Sequence, residues 1–386
     1  QCTEPMTYCY PPQQNMFQFW TNLTIDLYGG YFMTPNGNFT NGDMGENRGH
    51  SGGMYENYYL HIFNNTRRII AQCDASGERG LSGVMRIVQA YGTLMTTDAY
   101  GPIPYSSILS GENEVYFEFD SQKDLYKAML EDLSTAITDI SAMGADEIAK
   151  LKSFDCWCNG DKDLWVKIAN TMKQRMALRL SKRETEAGNA GMNLKAIATE
   201  AAQNTLATVN KDILIDKSLE NEMWLMFNWG DCGFNANLVT IMSGTKDPRQ
   251  PLYMTLNTGD IKNEAGTTTV AANSQYLGIR FASGLPAKPN SWGNFSGWIQ
   301  GNNGSSYSMP LPIMKAAEAY FLLAEAKLRW DIGSESVKNL YENGIRVSMT
   351  NELAYRGAYA GIKEYPEGAV DAYINGTSTQ IDYTYP

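Results

Sequence analysis

The chain has 386 residues, 43% of them hydrophobic, which is enough for one large domain or two to three ordinary ones and excludes a disordered class. A formal net charge of -11, with no basic run able to neutralise phosphates, argues against a nucleic-acid partner. No stretch offers the roughly 18 consecutive apolar residues of a membrane span, and no basic and apolar signal segment stands at the start.

The chain opens at Gln1 without a Met, so processing or trimming is expected to have happened already. Cys2 is not the first residue, as a cleaved lipobox would leave it, so any lipid anchor is expected outside this sequence. The six cysteines match no zinc pattern, since Cys156-Trp157-Cys158 is one residue too tight for C-x2-C. No metal or cofactor is expected.

In chain order, residues 14–33 read as a helix with Met16, Phe19, Trp20, Leu23 and Leu27 on one face. Residues 34–53, rich in Asn and Gly, read as an exposed loop. Residues 54–73 and 81–100 return to helical period, through Tyr55, Tyr58, Ile62 and Ile69 and then Val84, Ile87, Val88 and Leu94, with Gly77 and Gly80 between them. At the end of this hairpin stands YGTLMTTDAYGPIPYSSIL, in which Gly101 suits a left-handed helix stop and Pro102 and Pro104 an extended exit.

Ser121 suits the N-cap of a helix over about 122–141, with Tyr126, Met129, Leu133, Ile137 and Ile140 inward. The next helix, 162–182, places Trp165, Ile168, Ala169, Met172 and Met176 on one face, and a shorter helix follows near 194–206. Lys173, Arg175, Arg179, Lys182 and Arg183 form the densest positive cluster, expected as a solvated helix end. Over 215–308 the helical period stops and four of the eight tryptophans, Trp224, Trp229, Trp292 and Trp298, sit amid Gly, Asn and Ser, which points to a loop-rich subdomain.

Residues 309–330, MPLPIMKAAEAYFLLAEAKLRW, read as a deeply buried helix whose only wet stripe is Lys315, Glu318, Glu325 and Arg329. Across Gly333 a second helix, Ser334 to Met349, would be capped by Ser334 and turn Val337, Leu340, Tyr341 and Ile345 inward. No further strong helix is expected before Pro386.

Five strings in this order carry a family resemblance: D-x-YG-x-IPY from Asp98 to Tyr105, FDSQKDLYKAMLEDLSTAI, LWVKIANTMKQRMALRLSK, DPRQPLY from Asp247 to Tyr253, and Ala316, Tyr320 and Ala324 followed by YENGIRVSM. Over about residues 14–349 the chain resembles SusD/RagB-like outer-membrane nutrient-binding lipoproteins. The resemblance implies a mainly α fold in which tetratricopeptide-like helical hairpins (54–100, 122–182 and 309–349) form a scaffold. One SusD-like domain, 1–386, would combine the scaffold (14–214 and 309–349) with an irregular, β-containing subdomain (215–308). Residues 350–386 stay unassigned, since such chains usually continue further and a C-terminal part is expected to be missing. The implied function is non-catalytic: a lipid-anchored protein on the cell surface of the outer membrane captures an oligosaccharide and delivers it to a SusC-like TonB-dependent transporter.

Signals for chemistry are sparse. Gly49-His50-Ser51-Gly52-Gly53 matches G-x-S-x-G but lacks the preceding buried strand. His50 and His61 are the only histidines, and Glu112, Glu114, Asp161 and Asp163 have no spacing signature, so a glycosidase is the weaker alternative. Asn159, Asp161 and Asp163 lack the EF-hand order of calcium ligands, and sequons at Asn22 and Asn64 fall inside expected helices. Sugar rings pack their C–H faces on flat π surfaces while amides bond the hydroxyls. Trp292, Phe295 and Trp298, with Asn290 and Asn294 beside them, have that setting, as do Tyr31, Phe32 and Phe39 around the other polar loop. The same rings would equally suit the subdomain's own small core. A peptide-capturing member of the family or a protein-interaction scaffold remains open.

Overall fold

The apolar period of residues 79–179 is realised as long helices. The computed structural model describes residues 2–9, 14–34, 48–111, 116–215, 221–262, 265–281, 294–301, 304 and 307–376. Contacts divide the chain into two units. The first holds Gln1–Tyr10, Met54–Ile215 and Pro312–Ser348, and the second Pro11–Gly53, Asp216–Leu311 and Met349–Pro386. The fold is mainly α, with helical hairpins and short two-stranded sheets, as the sequence leads one to expect.

In the first unit the main helices are α1 (Asn64–Ser76), α2 (Arg79–Tyr100), α3 (Gln122–Ser141), α4 (Lys162–Arg179), α5 (Leu194–Ala201), α6 (Ala316–Trp330) and α7 (Val337–Ala360). Residues of α7 up to Ser348 group with this unit. Gly77, at φ 78, ends α1 in the left-handed region. Gly80 lies inside α2 rather than between helices, because Met143 fills the space: a Cβ there would stand 2.1 Å from Met143 Cγ. Ser121 caps α3 by accepting from Asp124 N at 3.2 Å, and Asp161 caps α4 from Asp163 N and Leu164 N. Val84, Ile87, Val88, Met129, Leu133, Ile140, Trp165, Ile168 and Met172 are fully buried, each removing apolar surface worth about 1.5–3 kcal/mol.

Asp155 organises the turn before α4. Its carboxylate accepts from Trp157 N, Cys158 N and Gly160 N and from Trp165 Nε1, at 2.8 to 2.9 Å. Trp157 and Trp165 stack at 5.3 Å, which explains why Cys156-Trp157-Cys158 is a packing element.

Two expectations for this unit are corrected. The positive cluster is not a solvated helix end: Lys173 is buried and paired with Glu200, and Arg175 makes a two-pronged pair with Glu318 of α6 at 2.6 Å per bond. Burial works against the Arg175 charge, but Glu318 outweighs it and holds the guanidinium above its ordinary value. Arg179, exposed like Lys182 and Arg183, is tied to Asp98. Residues 309–330 are not one buried helix either. Pro312 lies in a strand, Leu311–Met314, and α6 begins at Ala316. Its alanines are buried, yet Phe321 and Leu328 are exposed, as is Tyr341 of α7. The cap of α7 is Ser336, which accepts from Asn339 N at 3.1 Å, and the helix runs on to Ala360 before a further short helix, Ala369–Ile374.

In the second unit, residues 14–28 are helical, but Gln18–Asp26 is a π-helix. Leu23 and Leu27 are buried as expected, but its wider turn, bonded i→i+5, puts Phe17, Gln18 and Asn22 inside in place of Met16, Phe19 and Trp20. Gln18 Nε2 donates to Asp231 and Asn22 Nδ2 meets Cys232 Sγ at 3.3 Å. The helix then stops, and Phe32–Met33 pairs antiparallel with Gly233–Phe234. Residues 215–308 also hold short helices, Glu222–Asn228 and Ala236–Gly244, started by Asn221 and Asn235, whose side chains accept from Trp224 N and Asn237 N. In DPRQPLY, the Arg249 backbone N and Nε donate to Asp247 Oδ1 at 2.9 Å, so this string is a clamped turn.

Candidate ligand-binding site

The strand Ser296–Trp298 pairs antiparallel with Met254–Asn257, bringing Met254 opposite Trp298 and Asn257 opposite Ser296. It carries Trp298 inward, with Phe295 just before it. Trp298 is 5% exposed and lies against Phe227 and Phe234 at 5.8 and 6.2 Å. Phe295, 8% exposed, packs in a cluster with Leu27, Met33, Val270, Leu277 and Ile279. These two expected platforms are therefore core residues of the second unit. Strand pairing turns Trp298 inward, while Phe295, just before the strand, is drawn into the apolar cluster.

Asn294 is also engaged. Its side chain donates to the Asp260 carbonyl at 3.0 Å and its own carbonyl accepts from Thr258 N at 3.1 Å, pinning the turn over residues 258–260. Asn290, Trp292 and Phe39 lie outside the described residues.

Tyr31 differs: it is 54% exposed. Gly30, at φ 73, turns the chain out of the helix, and the Tyr31 ring lies over Gly29, where a Cβ would stand 2.9 Å from it. The Tyr31 carbonyl accepts from Asn235 N at 3.0 Å. Next to it, Phe32 joins the ring cluster of Phe227 and Phe234. The site's rings thus form a buried foundation and an outer ring that keeps its accessible surface.

Under the same cluster is a buried cation. Arg356 bonds Glu352 at 2.6 Å and lies over Tyr253, Tyr355 and Trp298 at 4.8, 4.9 and 5.4 Å. Burial alone would lower its pKa, yet Tyr355 and Glu352 more than offset that and the charge is held. Sequence reasoning gave residues 350–386 no role, so it missed this pair; the i, i+4 spacing of Glu352 and Arg356 was the available signal.

A second aromatic pair was also missed. Trp224, in the first turn of its helix, meets Tyr307 edge-on at 5.3 Å and 89°. Asn221 fixes both: it caps the helix, its N donates to the Tyr307 carbonyl at 2.7 Å, and its Nδ2 to the Met309 carbonyl. Tyr307 is 37% exposed, and Trp224 Nε1 is buried without a partner among the described residues. Gly304, at φ 77, packs beside the indole edge, where a Cβ would stand 3.7 Å from the ring.

The catalytic signals do not assemble. His50 and Ser51 lie in a short helix, Arg48–Ser51, where His50 stacks on Phe19 at 4.4 Å, so no strand holds a nucleophile turn there. Asp161 is spent as a cap, and the described residues contain no group of three or more potential metal ligands.

In unit one the D-x-YG-x-IPY string has a defined geometry. Asp98 accepts from Tyr126 OH at 2.6 Å, and Gly101 leaves α2 at φ 79, ψ -135, a backbone region reserved for glycine. The strand Ile103–Pro104 then pairs with Phe119–Asp120, and Asp120 accepts from Tyr105 N and Ser106 N.

A family model, SusD-like (SusD and RagB outer membrane lipoprotein), matches residues 3–384. A SusD-like protein from Bacteroides thetaiotaomicron VPI-5482 is 25% identical with a TM-score of 0.75, over 96% of this chain and 71% of that one. A SusD homolog from Bacteroides ovatus ATCC 8483 is likewise 25% identical, with a TM-score of 0.76 over 97% and 71%. A chitin-binding SusD homolog from Flavobacterium johnsoniae shares the fold at 23% identity, with a TM-score of 0.77 over 96% and 71%. No curated protein sequence matches significantly. Among the described residues no helix is long and apolar enough to cross a membrane. The ordered motifs, the helical hairpins and the match over nearly the whole length agree: the chain belongs to the SusD-like family of outer-membrane lipoproteins.

Proposed function

We propose that the protein captures an oligosaccharide at the cell surface without catalysis and delivers it to a SusC-like TonB-dependent transporter in the outer membrane, to which a lipid anchor holds it. The observation that carries the binding half is Tyr31: a ring set rigidly on Gly29 beside an aromatic core, yet 54% exposed. Such a ring offers a flat face to sugar C–H groups at little entropic cost. Trp224 with Tyr307, and Trp292 with Asn290, supply further stacking and amide groups, Asn294 holds the turn over residues 258–260, and Phe39 flanks the first loop. Phe295 and Trp298 act beneath the site, as its support. Chitin binding by a relative of the same fold favours a glycan over a peptide.

Calorimetry against a panel of oligosaccharides and peptides tests this. Tyr31→Ala with Trp292→Ala should weaken glycan binding at least tenfold while leaving the melting temperature nearly unchanged. Saturable peptide binding with no glycan binding would replace the reading by peptide capture. Release of reducing ends by the wild-type protein would replace it by hydrolysis. For delivery, the protein should co-purify with a β-barrel transporter from mild-detergent extracts of outer membranes; recovery free of any barrel would remove that step.

A further inference from the structure

In the first unit a cavity of about 570 Å³ opens where the end of α2, the start of α3 and the end of α4 meet. Its volume lies in the range of small-molecule sites, roughly 300–1,000 Å³. Three cations, Lys123, Arg179 and Arg183, line it against two carboxylates, Asp98 and Glu186, leaving one positive charge in a chain whose formal net charge is -11. Both carboxylates are engaged: Asp98 by Tyr126 OH and Arg179, Glu186 by Arg183 at 2.8 Å. The Lys123 ammonium, by contrast, has no acceptor among the described residues. Leu180, Ala187 and Met192 supply an apolar wall.

From this arrangement we infer that the cavity is a binding site for a small carboxylate-bearing molecule, its carboxylate between Lys123 and Arg183 and its body against Leu180, Ala187 and Met192. An oxygen pair fits a guanidinium fork and an ammonium together. Neutral sugars would forgo them. The site is separate from the ring cluster of the second unit and does not depend on it.

Two sources of such a carboxylate, an acidic sugar and a peptide C-terminus, are separated by the probes. Titration of the full chain at pH 7 and low salt uses glucuronic acid, glucose as its neutral counterpart, and trialanine. Glucuronate should bind at one site, at least tenfold tighter than glucose, and shift the ε-methyl resonance of Met192. Lys123→Gln with Arg183→Gln should cost at least tenfold more, and Lys123→Arg with Arg183→Lys should retain most of the binding. Trialanine binding as well as glucuronate means that any carboxylate is read; trialanine failing to bind means an acidic sugar is required. The inference falls if no carboxylate binds, if glucose binds equally, if Met192 does not respond, or if the double Gln variant binds like the wild type. Failure of these probes leaves Tyr31 untouched, and loss of glycan binding in Tyr31→Ala leaves this cavity untouched.

Discussion

The two units bury indole rings in different ways. In the first, Trp157 Nε1 donates to the Met6 carbonyl at 3.1 Å and Trp165 Nε1 to Asp155 at 2.8 Å, so each buried donor has its acceptor. In the second, Trp224 Nε1 and Trp298 Nε1 are buried without a partner among the described residues. An unmet buried N–H costs about 1–3 kcal/mol, and structures keep few of them. The contrast lies in the indoles: the helical unit gives these two buried donors an acceptor, whereas the loop-rich unit leaves two of its own unmet among the described residues. Binding surfaces carry that kind of local cost.

The contrast can be broken most severely at Asp155. Asp155→Ala strips the acceptor from three backbone N–H groups and one indole, so a loss of about 4 kcal/mol is expected in chemical denaturation. An effect below about 1 kcal/mol would show that the first unit does not rely on such pairing.

In the second unit the corresponding probe has the opposite sign. Burial raises the Asp26 carboxyl from 3.8 to about 7. The folded protein therefore binds this proton more tightly than the unfolded chain. Its contribution is most favourable below about pH 4, is lost as pH rises toward 7, and changes no further above that. Asp26→Asn should thus stabilise the protein by about 2–4 kcal/mol at pH 8 and hardly at all at pH 4. Equal gains at both pH values would contradict it.

A sharper comparison sets Trp165→Phe against Trp298→Phe. Both lose ring volume, but only the first gives up a hydrogen bond, so it should cost about 1–2 kcal/mol more. Equal losses would mean that Trp298 has found a partner in solution. The smallest change is Ser121→Ala, which removes one helix cap and should cost about 1 kcal/mol, lowering the melting temperature without altering binding.

What could be read from the sequence was whatever one period or one motif determines. Trp165, Ile168, Met172 and Met176 lie on the expected face of α4, and Ser121 caps as expected, because local spacing alone sets both. Partners distant in the chain stayed hidden. Lys173 and Arg175 look like surface charges until Glu200 and Glu318 are brought against them by the packing of other helices. Pro310 and Pro312 suit a helix start as well as a strand, and the strand won. At the candidate site, exposure was the missing quantity: Phe295 and Tyr31 sit in equally polar strings, yet one faces the interior and the other solvent. Composition marks where rings gather but not which way a short paired strand turns them.

The π-helix at Gln18–Asp26 has a consequence for length variation. A turn that holds an extra residue can shed it and close as an ordinary α-turn, so removing one residue here should be absorbed locally, whereas the same deletion in α3 would rotate every later side chain by about 100°. Related chains are accordingly expected to differ in length at this point while keeping the lengths of α3 and α4.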